Sequence, residues 1–213
     1  MKNQSNLQFV WPIESHWNHF QIKTVLERQE LSEYWFKISN AISNISWNTI
    51  LNLHNAEYSD RMSISLALTD VLNEALIEIG SESKVSIFED GNKSSKPFLI
   101  EHKIGPIAID FAFGHYQTLV WKLARLAVAI MPNEKEIINP CKIGVLILPQ
   151  EELRRIGHFD SPSNWERAVD YIQYMGSQWQ APLLLIGLKN PGSFEIIDNG
   201  KGQIPRSRAL KLN

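Results

Sequence analysis

Two short runs of almost unbroken apolar residues constrain the fold of this chain more than any other feature. They occupy residues 141–148 and 182–188, and between them, at 163–175, apolar residues recur at helical spacing. Strands that are apolar on both faces lie inside a sheet that is covered on both sides. Strands joined through a helix are parallel, with a right-handed crossover. This pattern predicts a central sheet with helices packed on it.

The rest of the chain divides at Gly80 into a helical half and a half that contains the strands. From about residue 13 apolar residues recur at helical spacing, and one series runs from the N-cap candidates Ser59 and Asp60 to Gly80, a residue that favours the left-handed C-cap. After Gly80, extended runs occur at 84–88, 97–103 and 107–113, and helical stretches at 116–131, 163–175 and, as a short turn, 150–156. The predicted fold class is therefore α/β, a mixed central β-sheet flanked by helices, with a helical N-terminal part.

No repeat, low-complexity tract or linker divides the 213 residues, so we predict a single domain spanning 1–213. Its helical part is 1–80 and its sheet-containing core is 81–192. Residues 193–213 form a basic tail without an acid after Asp198. The tail's basic residues are Lys201, Arg206, Arg208 and Lys211.

The composition is that of an ordinary globular protein, with 44% apolar residues, 21% charged residues and a formal charge of -2. A single cysteine, Cys141, cannot close an intrachain disulfide, which leads us to expect a reducing cytoplasm. We expect neither a signal peptide nor a membrane span, because residues 1–10 are polar and Lys122 and Arg125 interrupt the most apolar stretch, 119–131. The near-neutral charge argues against a protein that coats nucleic acid, but it allows a DNA enzyme whose acidic site offsets a basic face.

A predicted hairpin places two acids face to face. If 105–106 forms a two-residue turn, Ile104 pairs with Ile107 and Glu101 lies opposite Asp110. Opposed Cβ atoms are about 4.5–5.5 Å apart, where two ionised carboxylates repel unless a cation lies between them. A hard ion such as Mg²⁺ removes that conflict, and Asp110 needs a partner because its strand is otherwise apolar. The alternative is a hairpin whose solvent face happens to carry two acids.

Four segments stand in the order and spacing of a known nuclease group. Segment 72–75 reads Leu-Asn-Glu-Ala, 107–116 reads Ile-Ala-Ile-Asp-Phe-Ala-Phe-Gly-His-Tyr, 143–149 reads Ile-Gly-Val-Leu-Ile-Leu-Pro, and 181–187 reads Ala-Pro-Leu-Leu-Leu-Ile-Gly. In these segments the chain resembles the PD-(D/E)xK nucleases, and within them the restriction endonucleases of the BglII/BstYI type. The resemblance covers 72–191 and implies that 81–192 is a restriction-endonuclease-like core.

The resemblance also implies a metal site. Glu101 and Asp110 would be the metal ligands, with the backbone carbonyl of Phe111 as a third, and the ion would be Mg²⁺ or Mn²⁺. Such an ion polarises the scissile phosphate and lowers the pKa of a bound water. The two acid types are exchanged relative to the family, in which the first is usually Asp and the second Glu.

The third position of the family motif, normally Lys or Gln, is Ala112, which cannot stabilise phosphate charge. Lys103 lies two residues from Glu101, on the same face of the predicted strand, and is therefore the candidate third catalytic residue. The alternative for Lys103 is a surface lysine beside a turn.

Candidate DNA contacts are basic and polar residues near these strands. Enzymes of the restriction type contact phosphates with basic residues and read base edges from loops. His115 takes the place of the family's Lys after Gly, and a solvated loop or a polar helix cap is the alternative for such residues. The candidates are His115, Lys122, Arg125, Arg154, Arg155, His158 and Asn164.

Three hypotheses for function follow. The leading one is a Mg²⁺-dependent endonuclease that hydrolyses phosphodiester bonds of double-stranded DNA, a type II restriction endonuclease acting as a homodimer so that two sites cut two strands. The second keeps the fold without the chemistry, as a catalytically inactive DNA-binding or assembly subunit, which Ala112 would suggest. The third is an unrelated mixed α/β protein. Double-stranded DNA and a second copy are the expected partners, and no membrane is expected.

Overall fold

The computed structural model of the protein describes residues 6–10, 25–26, 28–88, 98–114, 116–130, 137–159, 163–175, 181–190, 194–198 and 207–211. The described residues of the N-terminal part include three helices, α1 (Gln29–Asn44), α2 (Trp47–Glu57) and α3 (Ser65–Glu78). Gly80, just after α3, has φ +89°, so the left-handed helix end predicted there is confirmed. No helix in this described part of the chain is both long and apolar enough to cross a membrane.

The start of α3 differs from the prediction. The helix begins at Ser65, and neither Ser59 nor Asp60 caps it. These two residues lie in a turn after α2, where the backbone N–H of Arg61 donates to the carbonyl of Tyr58 at 2.9 Å. Ser63 Oγ accepts a hydrogen bond from the backbone N–H of Ser65 at 3.2 Å. Ser63, four residues after Ser59, therefore satisfies a backbone donor at the start of α3.

A six-stranded mixed sheet forms the centre of the molecule, in the spatial order β1-β6-β5-β4-β3-β2. Its strands are β1 (Phe9–Val10), β2 (Glu82–Ser86), β3 (Leu99–Ile104), β4 (Ile107–Phe111), β5 (Ile143–Pro149) and β6 (Leu183–Leu188). Strands β4, β5 and β6 are parallel, and the remaining pairs are antiparallel. Every residue of β5 and β6 is buried, as their apolar sequences predict. The predicted mixed, helix-flanked sheet is confirmed.

Helices link the parallel strands. Helix α4 (Tyr116–Ile130) connects β4 to β5, and α5 (Glu151–Ile156) and α6 (Trp165–Met175) connect β5 to β6. All three fall where helical spacing predicted them. Strands β4 and β5 are parallel, so their C-terminal ends lie at the same end of the sheet. The start of α4 and the segment with α5 lie at that end.

Strand β4 is buried on both faces of the sheet. Its successive side chains point to opposite faces and therefore contact different helices. Ile107, Ile109 and Phe111 belong to the hydrophobic cluster formed with α1, α2 and α3. Ala108 and Ala112 belong to the second cluster, formed with α4 and α6. Asp110 shares their parity and therefore faces α4.

The segment predicted as a basic tail contains a second sheet. Strands β7 (Phe194–Asp198) and β8 (Ser207–Lys211) pair antiparallel. The Phe194 ring stacks on Trp47 of α2 with the ring centroids 5.5 Å apart. Packing against the helical part thus orders a hairpin that the basic sequence alone does not predict.

The two edges of the central sheet are irregular. At one edge, the described residues of β1 number two. At the other, Lys84 in β2 has φ +52°, a left-handed conformation that a non-glycine residue seldom adopts in a strand. Residues Glu82, Ser83 and Lys84 of this strand are exposed.

Candidate active site

The hairpin of β3 and β4 has the predicted register. Ile104 pairs with Ile107, and the pairing continues outward to His102 and Ile109. The turn residue Gly105 has φ +52°, and a Cβ there would lie 2.5 Å from Cζ of Tyr34, so both conformation and space require glycine.

Glu101 comes next along β3 and faces Asp110. Its backbone N–H donates a hydrogen bond to Asp110 Oδ1 at 3.3 Å. The predicted juxtaposition of the two acids is thus present.

Asp110 is fully buried, with 0% of its surface exposed, and Arg125 of α4 binds it in a bidentate pair. Arg125 Nη2 donates to Oδ1 at 2.6 Å and Nε donates to Oδ2 at 3.0 Å. Charge-assisted bonds are about twice as strong as neutral hydrogen bonds, and the bidentate pair also fixes the orientation of the carboxylate. The cation that Asp110 needs is supplied by the chain itself.

Glu101 is bound by the same helix. Lys122 Nζ lies 3.4 Å from Glu101 Oε1, and Arg125 Nη2 lies 3.7 Å from that oxygen. The exposed side-chain fractions are 36% for Glu101, 17% for Lys122 and 9% for Arg125, so the cluster opens to solvent on the Glu101 side. Two acids and two bases neutralise one another, and we call these four residues the charge cluster.

The sequence of α4 explains why its cations reach the acids. Lys122 and Arg125 are three residues apart and therefore on one face of the helix. That face lies beside the buried leucines Leu119, Leu123 and Leu126, which pack on the sheet. From this face the charged ends of the two bases reach the acids of β3 and β4.

The charge cluster has opposing effects on the pKa of Asp110. Burial raises this pKa and is the largest effect, while the charges of Lys122 and Arg125 lower it and the charge of Glu101 raises it. Burial prevails, so the pKa lies above the usual value. The two cations therefore offset part of the cost of a buried carboxylate.

The two carboxylates are oxygen ligands of the kind that Mg²⁺ takes, and the chain's own Arg125 binds both of them. The carboxylates of Glu101 and Asp110 converge on one guanidinium, which takes the place of a positive ion between them. No group of three or more His, Cys, Asp and Glu residues lies close enough to hold a metal within the described residues. Two carboxylates with a backbone carbonyl and waters suffice for Mg²⁺, which keeps several waters. An ion at this place requires Asp110 to exchange the Arg125 guanidinium for it.

Lys103 and Ala112 lie apart from the charge cluster. Lys103 pairs with Glu82 on one side and Ala108 on the other. No described contact joins it to either acid. Ala112 is fully buried in the α4 cluster. The catalytic role predicted for Lys103 stays a prediction.

The other predicted DNA contacts divide into bound and exposed residues. Arg154 donates to Glu151 through Nε at 2.7 Å and Nη2 at 2.6 Å, and Asn164 also donates to this carboxylate. Arg155 and His158 are exposed. His115 lies outside the described residues. Lys122 and Arg125 are part of the charge cluster, and their predicted phosphate contacts stay predictions.

Sequence reasoning missed a buried polar network on the other face of β3. His102 is 1% exposed, its Nδ1 lies 2.9 Å from Ser81 Oγ, and its Nε2 lies 2.8 Å from Asn73 Oδ1. Since an amide oxygen only accepts, Nε2 carries the proton and Nδ1 accepts from the serine. Burial lowers the pKa of His102, in keeping with a neutral ring. The available signal was Asn73 within segment 72–75.

The mixed sheet with an acid pair on its hairpin defines a protein of the restriction-endonuclease-like fold class. A model of the family described as restriction endonuclease BglII/BglIII matches residues 17–188, and the chain belongs to this family. The structure is similar to the crystal structure of restriction endonuclease BglII complexed with a DNA 16-mer, with a TM-score of 0.55 and 12% identity over 96% of this chain and 100% of that chain. Free BglII gives a TM-score of 0.49 and 12% identity over 97% and 93% of the two chains. No curated protein sequence matches significantly.

At 12% identity, the structural similarity concerns the fold alone. The expected BglII-type fold and family are confirmed. The wider resemblance to BstYI and to the PD-(D/E)xK superfamily stays an interpretation.

Proposed function

We propose that the protein is a type II restriction endonuclease that hydrolyses double-stranded DNA with Mg²⁺, or Mn²⁺ in its place, at Glu101 and Asp110. One observation carries the proposal. In a chain of the BglII/BglIII family, a fully buried aspartate faces a glutamate across a hairpin, and both converge on one cation. A buried carboxylate is costly, so its presence in an apolar strand points to a role other than stability.

The reaction breaks one phosphorus–oxygen bond of the DNA backbone and forms one from phosphorus to the oxygen of water. The water's proton passes to solvent, and the leaving alkoxide takes a proton from solvent. When bound, the divalent ion supplies Lewis-acid polarisation of the phosphate and a water of lowered pKa.

The chain's own residues hold this site in place. Glu101 and Asp110 would bind the ion, with the Phe111 carbonyl as the third ligand. The hydrogen bond from the Glu101 backbone to Asp110 fixes the separation of the two acids. The side chain of Ala112 can neither donate a hydrogen bond nor carry charge.

DNA contact is proposed for the end of the sheet at which β4 and β5 finish, where Asp110 lies. Strands β4 and β5 are parallel, and Asp110 pairs with Leu146 near their C-terminal ends. The segment after β5 starts at this end and carries exposed Arg155 and His158. Basic residues beside the acids would bind phosphates and place the backbone over the site. Two copies of the chain would present two such sites, one for each DNA strand.

The test is cleavage of several plasmids of different sequence by the purified protein, with Mg²⁺, Mn²⁺ or Ca²⁺. We expect discrete fragments with Mg²⁺ or Mn²⁺. Glu101→Gln and Asp110→Asn should each lower the cleavage rate by about 100-fold or more, since each removes a charged ligand. Duplex binding, measured by gel shift in Ca²⁺, should persist.

Glu30→Gln is the matched control, because Glu30 forms an exposed ion pair with Lys142 and has no described contact with the charge cluster. It should cleave like the parent. Full cleavage by both acid variants would remove Glu101 and Asp110 from the chemistry. A parent that binds duplex DNA and cuts none of it would favour the inactive DNA-binding subunit instead.

A further inference from the structure

We infer that Lys122 supplies the positive charge at the scissile phosphate that the side chain of Ala112 cannot supply. The inference rests on the proposed function. It places the third residue of the site on α4, across from the hairpin.

Ala112 has no room to be replaced by a longer side chain without disturbing the core. It is 0% exposed and belongs to the same cluster as Leu119 and Leu123 of α4. A small residue here lets the helix lie against the sheet. A lysine or glutamine in this position would carry its polar end into closely packed leucine side chains.

The same helix brings Lys122 to the acids from the other side. Its ammonium lies 3.4 Å from Glu101 Oε1, at the part of the charge cluster that solvent reaches. An ammonium has three donor hydrogens, and one contact to Glu101 uses one of them. A phosphate oxygen arriving beside Glu101 can therefore receive a second.

Arg125 is less suited to this role. Its guanidinium is committed to Asp110 by two hydrogen bonds, and it is the more buried of the two bases. Its place between the acids is where the divalent ion would bind, whereas Lys122 lies beside them.

Lys103, the residue that the sequence favoured, lies closer to the turn. It stands between Ala108 and Glu82 of the neighbouring strands. Lys103 shares the face of Glu101, but no described contact joins it to either acid, whereas Lys122 Nζ lies 3.4 Å from Glu101 Oε1. We therefore assign the role to Lys122.

The role is electrostatic. Negative charge increases on the phosphate oxygens as the water attacks, and a fixed ammonium stabilises that charge more than it stabilises the ground state. No proton leaves Lys122, so its contribution should appear in the rate of the chemical step and hardly in DNA affinity.

The experiment compares Lys122→Ala with Lys103→Ala in single-turnover cleavage of a plasmid that the parent cuts. Lys122→Ala should cleave about 100- to 1,000-fold more slowly, while Lys103→Ala stays within threefold of the parent. Duplex affinity in Ca²⁺ and the melting temperature check binding and folding. Lys142→Ala, which alters an exposed ion pair, is the surface control.

Chemical rescue separates an electrostatic role from a structural one. Lys122→Cys can be alkylated with 2-bromoethylamine, which restores an ammonium of nearly the original length. Burial raises the pKa of the Cys141 thiol to about 11, so the native cysteine should react little. Aminoethylation should recover at least tenfold in rate, and neutral alkylation with iodoacetamide should recover none. Lys103→Cys treated in the same way should show no dependence on charge.

A folded Lys122→Ala protein that cleaves within threefold of a cutting parent overturns the inference and leaves the proposed function standing. So does equal rescue by the charged and neutral reagents. A parent that cuts no DNA with Mg²⁺ or Mn²⁺ overturns the proposed function, and the inference with it.

Discussion

Replacing Arg125 by methionine should cost more stability than any other single charge removal in the cluster. Asp110 is fully buried, and Arg125 is its bidentate partner. Breaking a buried ion pair by removing one member costs about 3–5 kcal/mol, because an uncompensated charge remains. With a urea m-value of about 2 kcal/mol/M, the midpoint of unfolding should fall by about 2 M.

Urea titration followed by tryptophan fluorescence measures this change, since the chain has seven tryptophans. Lys122→Met is the control in the same cluster, and its partner Glu101 is 36% exposed, so it should cost at most about 1 kcal/mol. Asp110→Asn combined with Arg125→Met should be more stable than Arg125→Met alone, because the stranded charge is gone. Equal small costs for Arg125→Met and Lys122→Met would refute the buried-pair reasoning.

The loss of stability in Arg125→Met should increase as the pH rises. The folded-state pKa of Asp110 is raised above 3.8 by burial, so the folded protein holds this proton more tightly than the unfolded chain. The ionised carboxyl therefore lowers stability as pH rises through the folded pKa, and removing Arg125 enlarges that penalty. The deficit of Arg125→Met should be smallest near pH 4 and should grow toward pH 7. A deficit that is constant over this interval would contradict the assignment.

Three further predictions concern residues outside the charge cluster. Gly105→Ala should lower the melting temperature by at least about 3 °C, because the left-handed turn costs about 1–2 kcal/mol and the new Cβ approaches the Tyr34 ring. Glu151→Gln should reduce stability by at most about 1 kcal/mol at pH 7, since this carboxylate is half exposed. Its pKa of about 2 means that urea midpoints of the variant and the parent should converge between pH 4.5 and 2. Asn73→Ala should cost about 1–3 kcal/mol in urea titration, because Nε2 of His102 loses its acceptor.

Strands β2 to β6 were predictable because their signal is local, whereas β1 lies in the segment predicted to be helical, 1–80. Unbroken apolar runs sufficed for β5 and β6, and a glycine at 105 fixed the turn and hence the register that opposes Glu101 to Asp110. The β7–β8 hairpin was not predictable in this way. Its strands are five residues each, and packing on α2 rather than sequence pattern orders them.

The charge cluster was only half predictable. The two acids follow from a turn and a count, but the face that α4 turns toward the sheet depends on how the crossover packs. A signal was present in the sequence, since Lys122 and Arg125 interrupt the most apolar stretch at a spacing of three. The two basic residues in this stretch were interpreted as evidence against a membrane span. Their role as ion-pair partners becomes evident only when the buried Asp110 is known to lie beside them.

The irregular edges of the central sheet limit how two copies of this chain can associate. An exposed straight edge would be a template on which another chain's strand could add, which leads to aggregation. Here β1 offers two described residues at one edge, and at the other the left-handed Lys84 distorts a strand that also carries exposed Glu82. Strand addition is therefore disfavoured at the β2 edge. A dimer should join through helical or loop surfaces and leave the β2 edges of the two copies separate.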